Sequence, residues 1–180
     1  MSVLTVKRDV FPPLIVEELR KYLRMQNAFI PATVTGDQSW RSGRVQHIQE
    51  LFIGKLVAGI VTDYALAIAN DIIHDFAPSR CEVQLSSYGD GDYFRQHYDN
   101  STPDADTRRI SWVSYINAFP GPNPFSGGEL VLQGENETIV YTPEDGETVF
   151  FASSVLHEIK PVSAPEGWNN RRFSANGWVS

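Results

Sequence analysis

The sequence predicts a mainly β fold with helical support: a double-stranded β-helix, or jelly roll, with helices packed on one of its sheets. Three observations carry that expectation. Beyond Pro78, short extended runs alternate with turn signals rich in Gly, Pro and Asn. Before it, two stretches place apolar residues at helical spacing. The 180 residues, 42% hydrophobic and 21% charged, suit one globular core. The expectation is a single domain over residues 1–180, with helical support over 1–78 and the jelly-roll core over 79–180.

The first helix is expected from about Pro13 to Gln26. Proline is tolerated in a first turn, and early acids with later bases suit the helix dipole. Ile15, Leu19, Tyr22 and Leu23 share a face. Residues Pro31 to Arg44 read as a loop whose large side chains are Trp40 and Arg41. A second helix is expected from about Ile48 to Phe76, with Ile53, Val57, Val61, Ile68 and Ile72 at helical spacing. Gly54 and Gly59 weaken it locally and permit close packing. His74 sits at its end, where a cation is favoured, and His47 reads as a solvated loop or first-turn residue.

Eight strands follow: Cys81–Tyr88, Tyr93–Tyr98, Ile110–Asn117, Gly128–Gln133, Thr138–Tyr141, Thr148–Phe151, Val155–Lys160 and Arg172–Val179. Turns such as Gly89-Asp90-Gly91 and Glu144-Asp145-Gly146 separate them. Eight short strands after two helices fit helices laid on a jelly roll.

Composition narrows the function. A formal net charge of −7 repels phosphate backbones, and Arg108-Arg109 and Arg171-Arg172 are the only adjacent arginine pairs, so no nucleic-acid partner is expected. Cys81 is the single cysteine, which excludes an intrachain disulfide and Cys-rich metal motifs; it reads as a small buried side chain on a strand. The N-terminus lacks the order of a signal peptide. Lys55, Asp63, Asn70 and Asp71 interrupt the most apolar stretch, Leu51 to Ile73, which reads as a buried helix and not a membrane span. A cytoplasmic protein with no membrane partner is the expectation.

The chemistry gathers at His97-Tyr98-Asp99. On an extended segment, His97 and Asp99 share a face while Tyr98 turns away. One imidazole and one carboxylate are two-thirds of the 2-His-1-carboxylate arrangement that holds non-heme Fe(II) with open positions. Taken alone, they equally describe a surface histidine beside a loop acid. His157, at the end of a distant strand and turn, supplies a third ligand or a backbone hydrogen bond. On the last strand, alternation puts Arg172, Ser174, Asn176 and Trp178 on one face, and Arg171, Phe173 and Ala175 on the other. An inward arginine needs an anionic partner, either an organic acid or an acid of the protein itself.

These residues form an ordered series: Tyr88 with its Gly-Asp-Gly turn, His97-x-Asp99, Tyr115-Ile116-Asn117, Ser126-Gly127-Gly128-Glu129-Leu130, His157 with Pro161-Val162, and Arg172-x-Ser174 with Trp178. The series resembles the Fe(II)- and 2-oxoglutarate-dependent dioxygenases, in their prolyl 4-hydroxylase-like branch, over roughly Cys81 to Trp178. The resemblance implies that His97, Asp99 and His157 bind iron. It implies that Arg172, helped by Tyr115 and Ser174, pairs with the distal carboxylate of 2-oxoglutarate, and that Tyr88 lines the same pocket. Fe(II), 2-oxoglutarate and O2 are the implied cofactors and cosubstrates, with ascorbate as a candidate reductant. Two departures stand out. Ala164–Asn170 looks like an inserted turn, and adjacent Arg171 leaves the anchor open by one register. Arg172 is chosen because it shares parity with Ser174 and Trp178.

The reaction so implied is hydroxylation of an unactivated C–H bond, with succinate and CO2 as co-products. The substrate is a prolyl or related residue of a protein or peptide; the alternative is a free amino acid or other small metabolite. Asp99 argues against the halogenating relatives, which have a small residue there. Expected covers of the barrel mouth are Gln38–Val45, Gly89–Phe94, Ser101–Arg108 and Ala118–Phe125, with Trp40, Trp112, Asp104 and Asp106 as contact candidates. Two other classes compete: a non-redox metal-binding jelly roll (hydrolase or isomerase), and a catalytically silent binding module. The oligomeric state is not legible.

Overall fold

Pro12 precedes helix α1 (Pro13–Leu23), whose proline start costs no intrahelical hydrogen bond. Glu17 and Glu18 lie beyond the first turn, so the expected acidic start is absent; they pair instead with Arg20 at 2.5 Å and Lys21 at 2.6 Å. Arg20 is buried, and it also reaches Asp145 at 3.0 Å and the Asn117 carbonyl at 3.2 Å. One guanidinium thus ties α1 to two loops of the β core.

The computed structural model describes residues 3–33, 39–73 and 76–180. His74 and Gln38, named above, lie outside the described residues. Helix α2 (Phe52–Ile72) buries Val57, Val61, Ala65, Ile68, Ala69 and Ile72, a stripe of helical period. Among the described residues it is the one helix long and apolar enough to cross a membrane, by length and composition. Its stripe packs into the core cluster that also holds Leu85, Phe173 and Ala175. A Cβ on Gly54 would meet the Ile48 carbonyl oxygen at 1.9 Å, so close approach does require glycine there; Gly59 has nothing within 4 Å.

The strands are β1 (Thr5–Arg8), β2 (Ile30–Pro31), β3 (Arg44–His47), β4 (Cys81–Tyr88), β5 (Phe94–His97), β6 (Ile110–Tyr115), β7 (Ser126–Gly127), β8 (Leu130–Gln133), β9 (Thr138–Tyr141), β10 (Glu147–Ala152), β11 (Leu156–Ile159), β12 (Val162–Ser163) and β13 (Arg172–Val179). All eight expected strands are present, with small shifts at their ends. Residues 1–78 differ from the expected helical support: β1, β2 and β3 join the large sheet. These strands are only two to four residues long, and their partners are distant in sequence. Such pairing leaves little local pattern. His47 ends β3 and is exposed.

The seven-stranded sheet runs β1-β10-β6-β13-β4-β3-β2, and the four-stranded sheet β5-β11-β8-β9. The pairs are antiparallel throughout, and β13 sits centrally, paired along its whole length with β4 and from Ser174 to Val179 with β6. This is the expected jelly roll. Alternation gives β13 two chemistries. Phe173, Ala175 and Val179 join the helices' core, whereas Tyr115, Leu130, Leu132, Val149 and Phe151 form the core between the sheets. Arg172, Ser174, Asn176 and Trp178 face that second side and line its cavity.

Candidate active site

β5 and β11 are neighbours, and His97 and His157 are direct register partners across them. Distant segments therefore deliver two imidazoles to one place, with ring centroids 4.2 Å apart. Asp99 follows two residues after His97. Its Oδ1 lies 3.5 Å from His97 Nε2, and its Oδ2 3.4 Å from His157 Nε2. All three ligand atoms lie within 4.8 Å of one another. Tyr98 points away and is 46% exposed, as alternation requires.

Each ring is oriented by its other nitrogen. Nδ1 of His97 bonds the Arg95 carbonyl at 2.7 Å, and Nδ1 of His157 bonds the Val155 carbonyl at 2.9 Å. A carbonyl only accepts, so Nδ1 carries the proton and the Nε2 lone pair faces the triad. Phe94 stacks on His97, and Phe151 meets His157 edge-on. The Ser111 hydroxyl donates to Asp99 Oδ2 at 2.6 Å, and the Asp99 amide donates to the Ser153 carbonyl at 3.1 Å. Burial alone would raise the Asp99 pKa; the two imidazoles and Ser111 outweigh it and hold the carboxyl below the usual carboxylate range. Burial holds His157 below the usual histidine value, against the pull of Asp99. The triad therefore offers a carboxylate and a neutral His157 at neutral pH. Two imidazole nitrogens and one carboxylate oxygen are a donor set suited to Fe(II).

At the other end of the cavity Arg172 is 1% exposed. Its Nε, Nη1 and Nη2 are buried and have no hydrogen-bond partner. The guanidinium lies 5.4 Å from the Tyr88 ring centroid and 5.0 Å from that of Tyr115. The Tyr115 hydroxyl is also buried without a partner; burial pushes its pKa up to about 12, with the Arg172 charge pulling the other way. A buried cation with no counter-charge is costly, so this end of the cavity is built to receive an anion. A dicarboxylic acid reaching from Arg172 toward the triad fits that chemistry. Gly128, at φ +67°, makes room: a Cβ there would meet Arg172 Cδ at 2.6 Å.

Ser174 sits beside Tyr115 in register. Its hydroxyl turns to Asn176 Oδ1 at 3.4 Å. Arg171 faces the opposite way and is spoken for: it pairs with Asp92 at 2.7 Å and donates to Ser87 Oγ at 2.6 Å. This separates the two adjacent arginines, with Arg172 alone reaching the cavity. The turn before them packs Trp168 against Phe29 and Phe173.

Three of the contact candidates turn elsewhere. Trp112 borders the cavity, but its ring is fully buried and packs on Phe11 in the helix-side core, because it has the opposite parity to Ser111 and Val113. Asp104 and Asp106 are exposed on their loop. Trp40 is 44% exposed, while its neighbour Arg41 is the buried one. Arg41 lines the cavity, donating to Tyr88 Oη at 2.9 Å and Ser86 Oγ at 3.0 Å. No sequence signal separated Arg41 from a loop arginine. Gln84 and Ser86 line the cavity too, and their alternation with apolar Val83 and Leu85 on β4 is the sequence signal for them.

Fold, triad and unpaired arginine together define a non-heme iron oxygenase of the 2-oxoglutarate-using class. Residues 83–180, more than half of the chain, match the sequence model of the 2OG-Fe(II) oxygenase superfamily, and the chain belongs to that superfamily. It is similar to a PKHD-type hydroxylase of Gloeothece citriformis, at 28% identity over 94% of this chain and 74% of that protein. An uncharacterized PKHD-type hydroxylase of Synechocystis is 34% identical over 58% of this chain, a match spanning 37% of that protein's length. Among solved structures, a Pseudomonas putida prolyl-4-hydroxylase superposes with a TM-score of 0.76 at 23% identity, covering 98% of this chain and 91% of that one. A Trichoplax adhaerens prolyl hydroxylase, in complex with a hypoxia inducible factor peptide fragment, gives 0.77 at 19% identity, covering 98% and 83%. These structural likenesses establish the jelly-roll fold. Family membership makes the chain a 2-oxoglutarate-dependent oxygenase that uses Fe(II), 2-oxoglutarate and O2, and the relatives named here are hydroxylases.

Proposed function

We propose that His97, Asp99 and His157 hold the iron, that Arg172 with Tyr115, Ser174 and Tyr88 holds 2-oxoglutarate, and that the substrate is a prolyl or related residue of a protein or peptide. The observation that carries the reading is the buried Arg172 guanidinium, whose three nitrogens have no partner. A metal-binding jelly roll of another chemistry would have no use for an uncompensated cation at that depth. The peptide substrate is supported by the name of the Pseudomonas putida prolyl-4-hydroxylase and by the peptide bound to the Trichoplax protein.

The residues divide the work. The Nδ1 bonds to Arg95 and Val155 fix both imidazoles, and Ser111 fixes the carboxylate, so three donors are aligned before any metal arrives. The Arg172 fork takes one carboxylate bidentately, and the Tyr115 hydroxyl supplies a further donor. Tyr88, Leu130 and Phe151 wall the cavity with apolar surface that excludes water. When bound, iron and 2-oxoglutarate supply the activation of O2 that oxidises the substrate C–H bond, leaving succinate and CO2. Residues 1–180 work as one catalytic domain in this reading, in the cytoplasm.

The test is incubation of the chain with Fe(II), 2-oxoglutarate, ascorbate and a library of proline-containing peptides, followed by succinate measurement and peptide mass analysis. Peptide-stimulated succinate together with gain of one oxygen atom supports the reading. Stimulation by free amino acids alone would move the substrate to small metabolites.

A further inference from the structure

We propose that Gln84 and Asn176 form a paired amide wall that grips an oxygen acceptor of the substrate, so the substrate carries a carbonyl or carboxylate oxygen beside the carbon that is oxidised. The inference rests on the hydroxylase-site reading above and goes further by naming the substrate's chemistry.

Gln84 on β4 and Asn176 on β13 are register partners, and both line the cavity that holds the triad and Arg172. Their side chains stand side by side on one face, as cross-strand pairs do. Gln84 is 7% exposed, and its Nε2 is buried with no hydrogen-bond partner. Buried amide donors are nearly always satisfied, so an unsatisfied one lining a cavity points to a ligand. Asn176 is held in one orientation. Its Oδ1 accepts from Ser86 Oγ at 2.7 Å, and that oxygen accepts from Arg41 Nη2 at 3.0 Å. With Oδ1 turned to Ser86, the Asn176 NH2 points the other way. The wall therefore offers amide donors, and the Asn176 acceptor is already taken.

Position separates this wall from the anion site. The rows across β4 and β13 run Tyr88/Arg172, Ser86/Ser174, Gln84/Asn176 and Glu82/Trp178. At roughly 3.3 Å of rise per residue, the amide row lies about 13 Å along the strand from the backbone of Arg172. The next row is partly exposed, with the Arg108 guanidinium 3.6 Å from the Trp178 ring centroid. The amides thus sit toward the mouth, beyond Ser174, where a substrate enters. A hydrocarbon substrate would leave Gln84 Nε2 unsatisfied. A residue in a peptide, flanked by carbonyl oxygens, would satisfy it.

The test uses probes that differ in one acceptor, with binding read by ligand-observed NMR on the Mn(II)- and 2-oxoglutarate-loaded protein. N-acetyl-L-prolinamide carries a carboxamide that N-acetylpyrrolidine lacks. The wild type is expected to bind the former about tenfold more tightly, the factor carried by about 1.4 kcal/mol. Gln84→Met, of similar shape but without the donor, should lose most of that preference while its 2-oxoglutarate affinity changes less than about twofold. Free L-proline in parallel assigns the source: tighter binding than the amide points to a free amino acid carboxylate, weaker binding to a peptide carbonyl, and either supports an acceptor site. Equal binding of the two N-acetyl probes by the wild type, no binding of either, or an unchanged preference in Gln84→Met overturns the inference. So does an equal loss of 2-oxoglutarate affinity, which would give the amides to the cosubstrate. Before any probe is added, a wild type that fails to bind 2-oxoglutarate would overturn the hydroxylase-site reading itself.

Discussion

Replacing Arg172 by methionine should make the empty protein more stable and the loaded protein less so. The guanidinium is 1% exposed, with Nε, Nη1 and Nη2 all unpartnered. Removing buried charge in favour of an apolar side chain of similar volume commonly gains about 1–4 kcal/mol. For a chain of this size each kcal/mol moves Tm by about 2–4 °C. Arg172→Met without ligand should therefore melt several degrees above the wild type. With 2-oxoglutarate the order reverses. A ligand at about 100 times its Kd adds about 2.7 kcal/mol to the wild type. The variant forfeits the charge-assisted fork, worth about 3–5 kcal/mol when one partner is removed, or about 10²–10⁴ in affinity. Differential scanning calorimetry with and without 2-oxoglutarate, with Mn(II) as the redox-silent metal, reads both signs. A ligand-free variant that melts below the wild type, or one still stabilised equally by 2-oxoglutarate, would refute the reasoning.

Other outcomes follow from the same geometry. Asp99→Ala removes one of three donors, and Mn(II) affinity measured by electron paramagnetic resonance should fall at least about tenfold. Gly128→Ala strains a φ of +67° and drives a methyl into Arg172 Cδ, so 2-oxoglutarate affinity should fall more than metal affinity in paired titrations. Cys81 is buried and its pKa is pushed up to about 12 by burial. Iodoacetamide at pH 8 should label it only as fast as the chain unfolds, with labelling of the native state at the full rate of a free thiol as the contrary result. Burial holds His157 below its usual value, so the unfolded chain takes up its proton first as pH falls. Metal-free stability in urea should fall from about pH 6.5 downward, and His157→Gln should flatten that slope.

Much of this was legible because it depends on parity. His97 and Asp99 share a face with Tyr98 turned out, and Arg172 shares one with Ser174 and Trp178; alternation alone gives both. The two adjacent arginines were separable by the same rule, and the Asp92 pair on Arg171 agrees with it. Parity also disposes of Trp112, whose place opposite Ser111 and Val113 sends it to the helices. What escaped reading depends on distant pairing. Strands β1 and β3 are short segments that exist through β10 and β4. Arg41 enters the cavity because its backbone bridges Phe94, with Ser42 and Trp40 bonded to Tyr93 and Arg95. Nothing local in Trp40-Arg41-Ser42-Gly43 announces that bridge. Gln84 is the intermediate case: alternation gives its face, but only the assembled cavity leaves its Nε2 without a partner.

The most direct test of the central claim is an anaerobic absorption titration of the Fe(II)-loaded protein with 2-oxoglutarate. A weak visible charge-transfer band should grow to saturation at one equivalent per chain, vanish in His97→Ala, and demand far more 2-oxoglutarate in Arg172→Met. Iron binding with no band at any 2-oxoglutarate concentration, or a band indifferent to both substitutions, would contradict it.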